Sequence, residues 1–517
     1  MPEPDPATPP NPEPVTATRA SGVLLHPTSL PGDGVGDLGA EAHRFVDWLA
    51  EAGQRYWQLL PLVATNEGGS PYNALSAFAG NPLLLSPQKL VEDGLLEADE
   101  AACPESLPDD CVKFGEVDRW KGRLVRRAYG AFRAGWAPAL KHAFGDYRER
   151  NRAWLDDYAL FRALRDEHGG AAWTSWDAPL RRRDPDALLR AAGELREEVE
   201  RHAFGQFLFD RQWSALRRHA RERGVRIIGD VPIFVAHDSA DVWAHPELFF
   251  LEPDGSPTVV SGVPPDYFSE TGQRWGNPLY RWDAMERDGY AWWVARFRRT
   301  LEMVDVARID HFRGFESYWE IPADEETAVN GRWVPGPGHA LFRALERALG
   351  PLPLIAEDLG IITPEVDTLR EALGLPGMRV LQFAFGGDDP ENPHLPANYP
   401  ALTVAYTGTH DNDTAAGWFR AAGADERGRL RELTDAPEAQ IHWGMAEVVL
   451  RSPADVAILP LQDVLGLGSD SRMNTPGTAE GNWRWRFAEG ALTPELAARL
   501  RELTRASGRL PQEARTP

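Results

Sequence analysis

The sequence has few cysteines and no long apolar run, and both absences exclude classes of protein. Cys103 and Cys111 are its only cysteines, and both lie in a polar, acidic stretch. Two such thiols cannot build a disulfide framework or a cysteine-rich metal site. No window approaches the roughly 20 consecutive apolar residues of a membrane-spanning helix. We therefore expect free thiols, a reducing compartment and a cytoplasmic protein that binds no membrane.

Positive charges are outnumbered by negative ones, which argues against a nucleic-acid partner. Lys and Arg together number 55 against 78 Asp and Glu, giving a formal net charge of −23. Nucleic acids and anionic membranes both attract positively charged surfaces. The first residues, 1–14, are rich in proline and lack the apolar core of a secretory signal. We expect no nucleic acid among the partners.

Aromatic residues, in contrast, are plentiful. The chain contains 19 tryptophans, and aromatic residues make up 10% of it. Tryptophan-rich clefts suit carbohydrates because an aromatic face packs against the C–H face of a sugar ring. Most buried aromatic residues simply fill a core, however. Composition alone leaves both interpretations open.

Short apolar runs recur along the chain, and several are followed by stretches with helical periodicity. Near-continuous apolar runs are typical of parallel strands that are buried on both faces. Eight strands alternating with helices predict an α/β fold, a closed (β/α)8 TIM barrel. The eight runs are residues 23–25, 56–60, 226–229, 304–309, 352–356, 380–385, 402–406 and 456–459.

Two long connections indicate additions to the barrel. The chain between residues 63 and 225 is charged and helix-rich, and the chain between 235 and 305 is rich in Gly, Pro and aromatic residues. We expect a large, mostly helical insertion and a smaller irregular lobe with a mobile loop. The predicted divisions are a disordered Pro-rich tail (1–19), the barrel start with strands 1–2 (20–87), the helical insertion (88–215), strand 3 (216–240), the irregular lobe with the active-site loop (241–300), strands 4–8 (301–505) and a frayed tail (506–517).

Carboxylates follow four of the apolar runs. Asp230, Asp310, Glu357 and Asp411 each come at or just after the end of a predicted strand. Reactive groups of α/β barrels lie at the carboxyl ends of the strands. A single aspartate there is more often a helix cap or half of an ion pair. Four acids at the ends of separate strands favour a functional site.

The neighbours of two of these acids predict opposite protonation states. Arg308 and Asp310 are two residues apart and therefore point to the same side of a strand. A fixed positive charge should lower the pKa of Asp310 and keep it anionic, as a nucleophile needs. Glu357 follows an apolar run, which should raise its pKa and suit a general acid. One anionic and one protonated carboxyl across a cleft can cleave a glycosidic bond.

Other chemistries fit the sequence less well. His311 and His410 lie beside carboxylates, but no His-x-x-x-His pair suggests a metal site. The glycine-rich stretch 32–36 lacks the lysine and spacing of a P-loop, and no Gly-x-Ser-x-Gly elbow is present. Side chains alone can supply the proton transfers and the covalent step. We expect no metal and no cofactor.

Several long motifs in order resemble those of the amylomaltases, the 4-α-glucanotransferase family of the α-amylase-like barrel superfamily. The likeness runs from about Leu24 to Arg486. The motifs are residues 26–31 (HPTSLP), 70–72 (SPY), 76–82 (SAFAGNP), 264–268 (PPDYF), 272–278 (GQRWGNP), 472–477 (RMNTPG) and 481–483 (GNW).

The resemblance implies a role for each matching residue. Asp310 would be the nucleophile, Glu357 the general acid/base and Asp411 the stabiliser of the transition state. Tyr72 would stack beneath the sugar that is transferred. The other residues implied to bind substrate are Ser70, Asp230, Tyr267, Phe268, Gln273, Trp275, Arg308, His311, His410 and Asn474.

The implied activity is transfer of α-1,4-glucan segments by a retaining double displacement, with two carboxyls ~5–5.5 Å apart. Donor and acceptor would be maltooligosaccharides, starch or glycogen. The loop from Tyr267 to Trp275 would form the acceptor platform and exclude water. Two alternatives use the same features: an α-1,4-glucan hydrolase and a non-catalytic glucan-binding scaffold.

Overall fold

A computed structural model describes residues 14–66, 68–265 and 269–511 of the chain. Within them, no helix combines the length and apolarity needed to cross a bilayer. The strands are β1 (Ala20–Leu24), β2 (Tyr56–Gln58), β3 (Arg226–Pro232), β4 (Val259–Val263), β5 (Gln273–Pro278), β6 (Val306–Asp310), β7 (Ser317–Pro322), β8 (Arg332–Pro335), β9 (Leu354–Ala356), β10 (Gly377–Val380), β11 (Thr403–Tyr406) and β12 (Val456–Pro460).

Helices connect and surround these strands. They are α1 (Ala40–Glu51), α2 (Pro87–Glu92), α3 (Phe114–Arg133), α4 (Ala139–Glu167), α5 (Ala178–Arg181), α6 (Pro185–Glu194), α7 (Arg196–Glu222), α8 (Ala240–Ala244), α9 (Trp282–Arg287), α10 (Ala291–Met303), α11 (Gly338–Leu349), α12 (Pro364–Ala372), α13 (Ala415–Ala421), α14 (Ala424–Leu433), α15 (Ile441–Arg451), α16 (Leu461–Val464) and α17 (Pro494–Ala506).

Eight parallel strands form the central sheet, in the order β10-β11-β12-β1-β2-β3-β6-β9. The two ends of this order approach each other, because the backbone N–H of Ala356 donates to the carbonyl of Pro376 at 2.9 Å. The carboxylate of Asp358 also accepts from the N–H of Met378 at 2.6 Å. The sheet is therefore nearly closed, and the predicted TIM barrel is confirmed.

The barrel strands are apolar because helices or loops cover their outer faces and their neighbours fill the interior. Every residue of β1, β11 and β12 is buried. Strands buried on both faces cannot carry the polar alternation of a one-sided sheet. This is why short apolar runs located the barrel in the sequence.

One strand overlaps its predicted position at a single residue. We expected a strand over 380–385, but β10 spans Gly377–Val380 and a 3-10 turn follows at Leu381–Ala384. The strand begins where the chain meets the Asp358 carboxylate, and a Cβ on Gly377 would lie 2.2 Å from one of its oxygens. The close approach of the glycine, rather than the apolar run, fixes the position of this strand.

The insertion between β2 and β3 is helical, as expected. Helices α2 to α7 lie in it, and α4 packs along α7. An aromatic cluster joins three of these helices. The ring of Phe132 in α3 lies 4.5 Å from that of Phe204 in α7, and Phe144 in α4 meets Phe204 edge-on at 5.4 Å.

The smaller lobe is more regular than we predicted. Four strands form an antiparallel sheet in the order β5-β4-β7-β8. Two of them, β7 and β8, follow β6 and so lie outside the predicted range of 241–300. These strands are short and mix apolar with polar residues, so no apolar run marks them. Tyr267 and Phe268 of the predicted active-site loop lie outside the described residues.

The described parts of both predicted tails pack against the barrel. Val15 is buried, and its carbonyl accepts from the hydroxyl of Tyr56 at 2.9 Å. Near the other terminus, Arg509 is fully buried and donates to backbone carbonyls at the start of β1 and β12. Residues 14–19 and 506–511 are therefore ordered parts of the barrel end, contrary to the predicted disorder. Residues 1–13 and 512–517 lie outside the described residues.

Candidate active site

A buried arginine joins two of the predicted acids at the carboxyl ends of β3 and β6. Asp230 and Arg308 are direct partners in the strand register. One Nη of Arg308 contacts both oxygens of Asp230 at 2.8 Å and one oxygen of Asp310 at 3.0 Å. The side chains of Arg308 and Asp230 are 5% and 1% exposed, whereas that of Asp310 is 29% exposed. The ion pair of Arg308 and Asp230 is therefore buried, whereas the Asp310 side chain remains accessible from the cleft.

Glu357 stands beside Asp310 because β9 pairs with β6. Ile309 is the register partner of Ala356, so the next residue on each strand is a carboxylate. The backbone N–H of His311 donates to one oxygen of Glu357 at 2.7 Å, and that of Leu359 donates to the other at 2.9 Å. His311 has a left-handed backbone (φ 53°), a sparsely populated conformation for a non-glycine residue that clusters at active sites. The turn after Asp310 thus orients Glu357 directly.

The third acid, Asp411, follows β11. The side-chain amide of Asn474 donates to one of its oxygens at 2.6 Å, and Nε2 of His410 lies 3.4 Å from the same oxygen. Arg472 donates to the backbone carbonyl of Asp411 at 2.5 Å. We predicted that Asn474 contacts the glucan; in this structure its amide donates to Asp411. Contact between Asn474 and substrate stays a prediction.

Tyr72 closes the site from the side of β2. Its hydroxyl donates to Asp230 at 2.6 Å, and its ring is stacked on that of His410 with centroids 5.2 Å apart. Ser70 supports it, since the Ser70 hydroxyl oxygen accepts from the N–H of Tyr72 at 3.3 Å. The aromatic face of Tyr72 is thus held by hydrogen bonds on the residue's backbone and side chain.

Strand β5 brings two predicted residues to the same cleft. The Trp275 ring meets that of His311 edge-on, with centroids 4.8 Å apart. Its indole N–H donates to the side-chain oxygen of Gln273 at 3.2 Å. Trp275 is 38% exposed, so part of its ring is free to contact a ligand. Of the predicted site residues, Tyr267 and Phe268 alone are not placed, because they lie outside the described residues.

The predicted direction of the pKa shift is right for Glu357, whereas the predicted lowering of the Asp310 pKa is wrong. Burial raises the pKa of Glu357. Burial also raises the pKa of Asp310, to about 8, although Arg308 acts in the opposite direction. The Arg308 guanidinium also contacts both oxygens of Asp230, so its positive charge is divided between the two aspartates. The negative charges of Asp230, Glu357 and Asp411 then raise the pKa of Asp310 further.

The imidazoles at this end of the barrel are neutral. Burial lowers the pKa of His311 to about 3, with a smaller effect from Arg313. Burial also lowers the pKa of His410. His26, in the first motif, is lowered to about 3 by burial and then by His410. Near pH 7 these three rings therefore add no positive charge to the site.

Three further side chains belong to the site, although the sequence analysis did not assign them to it. Arg472 and Trp483 lie in quoted motifs; Trp483 has a left-handed backbone (φ 67°), and its ring is 5.8 Å from that of Tyr72. Asp463 follows β12 and accepts from the Thr407 hydroxyl at 2.5 Å and the Ala415 N–H at 2.6 Å. The strand-end signal that identified the other acids would also have identified Asp463.

Together these residues can perform acid-assisted glycosyl chemistry. Two carboxyls on adjacent strands, of which one contacts a permanent cation, face an open cleft with a third carboxyl and an aromatic ring. Such a pair can supply a nucleophile and a proton donor.

Comparison with known proteins places this geometry in a family. The family model described as 4-alpha-glucanotransferase matches residues 25–493. A 4-alpha-glucanotransferase of Thermus thermophilus is 53% identical over 501 residues, spanning 95% of this chain and 99% of its own length. Another from Synechocystis is 48% identical, over 95% of this chain and 98% of its own.

Solved structures give the same result. An amylomaltase from Streptococcus agalactiae in complex with acarbose superposes with a TM-score of 0.92 at 37% identity, covering 95% of this chain and all of that one. An amylomaltase from Corynebacterium glutamicum, at 19% identity and a TM-score of 0.76 over 95% of this chain and 75% of that one, shares the fold.

Proposed function

Since this chain belongs to the 4-alpha-glucanotransferase family, we propose that it moves segments of α-1,4-glucan between maltooligosaccharides by a retaining double displacement. Asp310 is the nucleophile, Glu357 the general acid/base and Asp411 the residue that stabilises the transition state. The observation that carries this assignment is the pairing of β6 with β9, which sets Asp310 and Glu357 side by side.

The first step breaks the donor. A carboxylate oxygen of Asp310 attacks the anomeric carbon, and the bond from that carbon to the O4 of the next sugar breaks. Glu357 gives its proton to the departing O4. The products are a glucosyl ester on Asp310 and a shortened glucan with a free 4-hydroxyl.

The second step reverses the roles. The 4-hydroxyl of an acceptor glucan attacks the anomeric carbon, and the ester bond to Asp310 breaks. The Glu357 carboxylate takes the proton of that hydroxyl, and Asp310 regains its charge. Two inversions leave the α configuration unchanged.

The placement of one proton decides whether the first step can start. Burial raises the pKa of both Asp310 and Glu357, so the pair holds a proton near neutral pH. Arg308 contacts Asp310 at 3.0 Å, and a carboxylate is favoured next to a cation. We therefore assign the charge to Asp310 and the proton to Glu357 in the reactive form.

The remaining residues hold the sugar. The open face of Tyr72 packs beneath the ring that is transferred. Asp411, oriented by Asn474, accepts hydrogen bonds from the hydroxyls of that ring as it flattens in the transition state. Asp230 fixes Arg308 and Tyr72 at once, so it acts as a positioning residue.

Transfer outcompetes hydrolysis when the acceptor is held in place. Well-oriented intramolecular reactions reach effective concentrations of ~10⁵–10⁸ M, which outweighs bulk water. Trp275 is the described residue best placed for this task, because it is partly exposed beside His311. Starch and glycogen fragments are the natural donors in this proposal.

Incubation with maltotriose alone tests the proposal. Transfer gives glucose and a ladder of glucans longer than maltotriose, measured by chromatography of the products. Hydrolysis gives only shorter products and would favour the hydrolase. A protein that binds maltotriose and leaves it intact would be a scaffold. The control is Asp310→Asn, which should produce no ladder.

We also propose a cytoplasmic location. Cys103 and Cys111 are both free thiols, which suits a reducing compartment. Fractionation of the source cells, with recovery of the activity in the cytoplasmic fraction, is the test.

A further inference from the structure

Trp333 is a rigid, partly exposed tryptophan on the edge strand β8. Solvent reaches 39% of the surface of Trp333. The guanidinium of Arg313 covers the ring at 3.7 Å from its centroid. The Trp319 ring meets it edge-on at 5.1 Å. A ring that is braced in this way loses little conformational entropy when a ligand packs on its free surface.

The arginine beneath this ring connects the two catalytic loops. Arg313 lies in the 3-10 turn Phe312–Phe315, three residues after Asp310. Its guanidinium donates to the carbonyl of Ile361, four residues after Glu357, and to the Ser317 hydroxyl at 3.3 Å. The exposed ring of Trp333 therefore rests on the group that joins the loops of the nucleophile and of the acid/base.

Packing explains Trp319 but leaves the exposure of Trp333 unexplained. The two residues are register partners on β7 and β8. The indole N–H of Trp319 donates to the carbonyl of Ala328 at 2.9 Å, and a Cβ on Gly331 would lie 2.2 Å from its nitrogen. Trp319 is thus a partly buried residue that packs against the small core of the lobe. In the described part of the chain, nothing accepts a hydrogen bond from the Trp333 indole, so its N–H is available.

The chemistry of the site fixes which part of the substrate reaches this surface. Glu357 acts on O4 of the sugar on the leaving side, and the acceptor later occupies the same side. The loop from Glu357 to Ile361 leads from this acid/base to Arg313, and so to Trp333. Ile361 is 50% exposed, and its backbone carbonyl accepts from the same arginine that covers the Trp333 ring.

We propose that Trp333, together with Ile361, forms a binding platform for an outer glucose unit of the acceptor glucan. The proposal rests on the proposed function and adds a subsite beyond the reacting sugar. An acceptor attacks with its non-reducing 4-hydroxyl, so its reducing end extends outward. Glucose cannot reach the platform while it reacts, whereas a longer acceptor can.

The test compares glucose and maltotetraose as acceptors, with one amylose donor and isotopically labelled acceptors. Trp333→Ala should raise the KM for maltotetraose about five- to tenfold, the range of an aromatic packing contact. The KM for glucose should stay unchanged, and Trp333→Phe should retain most of the preference. Trp136→Ala is the matched control, because Trp136 is 55% exposed and lies between α3 and α4 of the helical insertion. It should change neither value.

Two results for Trp333→Ala would overturn the platform. The first is an unchanged KM for both acceptors, and the second is an equal rise of KM for glucose and for maltotetraose. The second would mean that Trp333 only supports Arg313. Calorimetry gives a reading that does not depend on turnover. In the Asp310→Asn background, Trp333→Ala should weaken maltoheptaose binding, and equal binding would contradict the platform. Absence of transfer by the unaltered protein would instead refute the proposed function.

Discussion

The two ends of the barrel bury arginine in different ways. At the carboxyl ends of the strands, Arg308 is surrounded by carboxylates of Asp230 and Asp310. At the amino ends, Arg509 is fully buried and its hydrogen bonds go to backbone carbonyls, including those of Ala20 and Asp455. Burial would lower the pKa of Arg308, but its acidic neighbours raise it well above the ordinary value. Burial and then Arg19 lower the pKa of Arg509.

The contrast separates reactivity from stability. Backbone carbonyls do not titrate near neutral pH, so the groups that bind Arg509 keep the same charge as the pH changes. The Arg308 end contains carboxyls whose protonation depends on each other. We therefore expect substitutions at the catalytic end to change turnover and those at the amino end to change folding. Substitutions at the two ends of the barrel test this division.

Asp310→Asn should produce the largest effect, on turnover alone. The amide cannot form the glycosyl ester, so we expect kcat to fall by about 10⁴-fold or more. The melting temperature should stay the same or rise, because removing one of several crowded carboxylates relieves repulsion. Maltotriose turnover and thermal unfolding are the two measurements. Retained turnover would end the assignment of Asp310 as nucleophile.

Arg509→Ala should have the opposite profile. Loss of a buried cation leaves several carbonyls unsatisfied, and we expect about 3 kcal/mol less free energy of unfolding. The kcat of the folded protein should be unchanged. Denaturant unfolding measures the first quantity and initial rates below the unfolding temperature the second. Arg505→Ala, on the exposed face of α17, is the control; equal stability losses in both would contradict the account.

Asp463 provides an intermediate case at the catalytic end. Its carboxylate holds Thr407 and Ala415, the two ends of the segment that carries Asp411. Asp463→Ala should lower kcat about 10- to 100-fold, because small misplacements of reacting groups are costly. Asp463→Asn retains an acceptor for Ala415 and a donor toward Thr407, so it should recover most of the activity. Equal losses of kcat in both variants would show that the negative charge, rather than positioning, matters.

The smallest expected effect concerns pH. The proton of the Asp310–Glu357 pair is lost as pH rises through about 8, so kcat/KM should fall above that pH. Asp411 raises the pKa of Asp310, and removing its charge should lower it. The alkaline limb of the residual activity of Asp411→Asn should therefore move to lower pH. A limb that stays in place or moves to higher pH would contradict this coupling.

The sequence located the barrel better than the lobe, for a physical reason. A strand buried on both faces must be apolar, so runs such as 456–459 predicted β12 well. Strands β7 and β8 are half-exposed and short, and β10 is positioned by the contact of Gly377 with Asp358. Neither property appears as an apolar run.

In the candidate site, too, some features could be predicted from the sequence and others could not. Strand ends and motifs identified Asp310, Glu357 and Asp411, because position along a barrel strand is a local property. The raised pKa of Asp310 was not predictable, since it depends on how Arg308 is shared with Asp230 across two strands. The order of residues 506–511 was also missed, because the carbonyls that bind Arg509 are distant in the chain.

Trapping the covalent intermediate tests the central claim most directly. In Glu357→Gln, an α-maltotriosyl fluoride donor can still react with the nucleophile, because fluoride leaves without an acid, while the second step lacks its base. Mass spectrometry of the digested protein should find the maltotriosyl group on the peptide that contains Asp310, attached to that side chain. Attachment to a different carboxylate, or consumption of the donor with no covalent adduct at any time, would contradict the account.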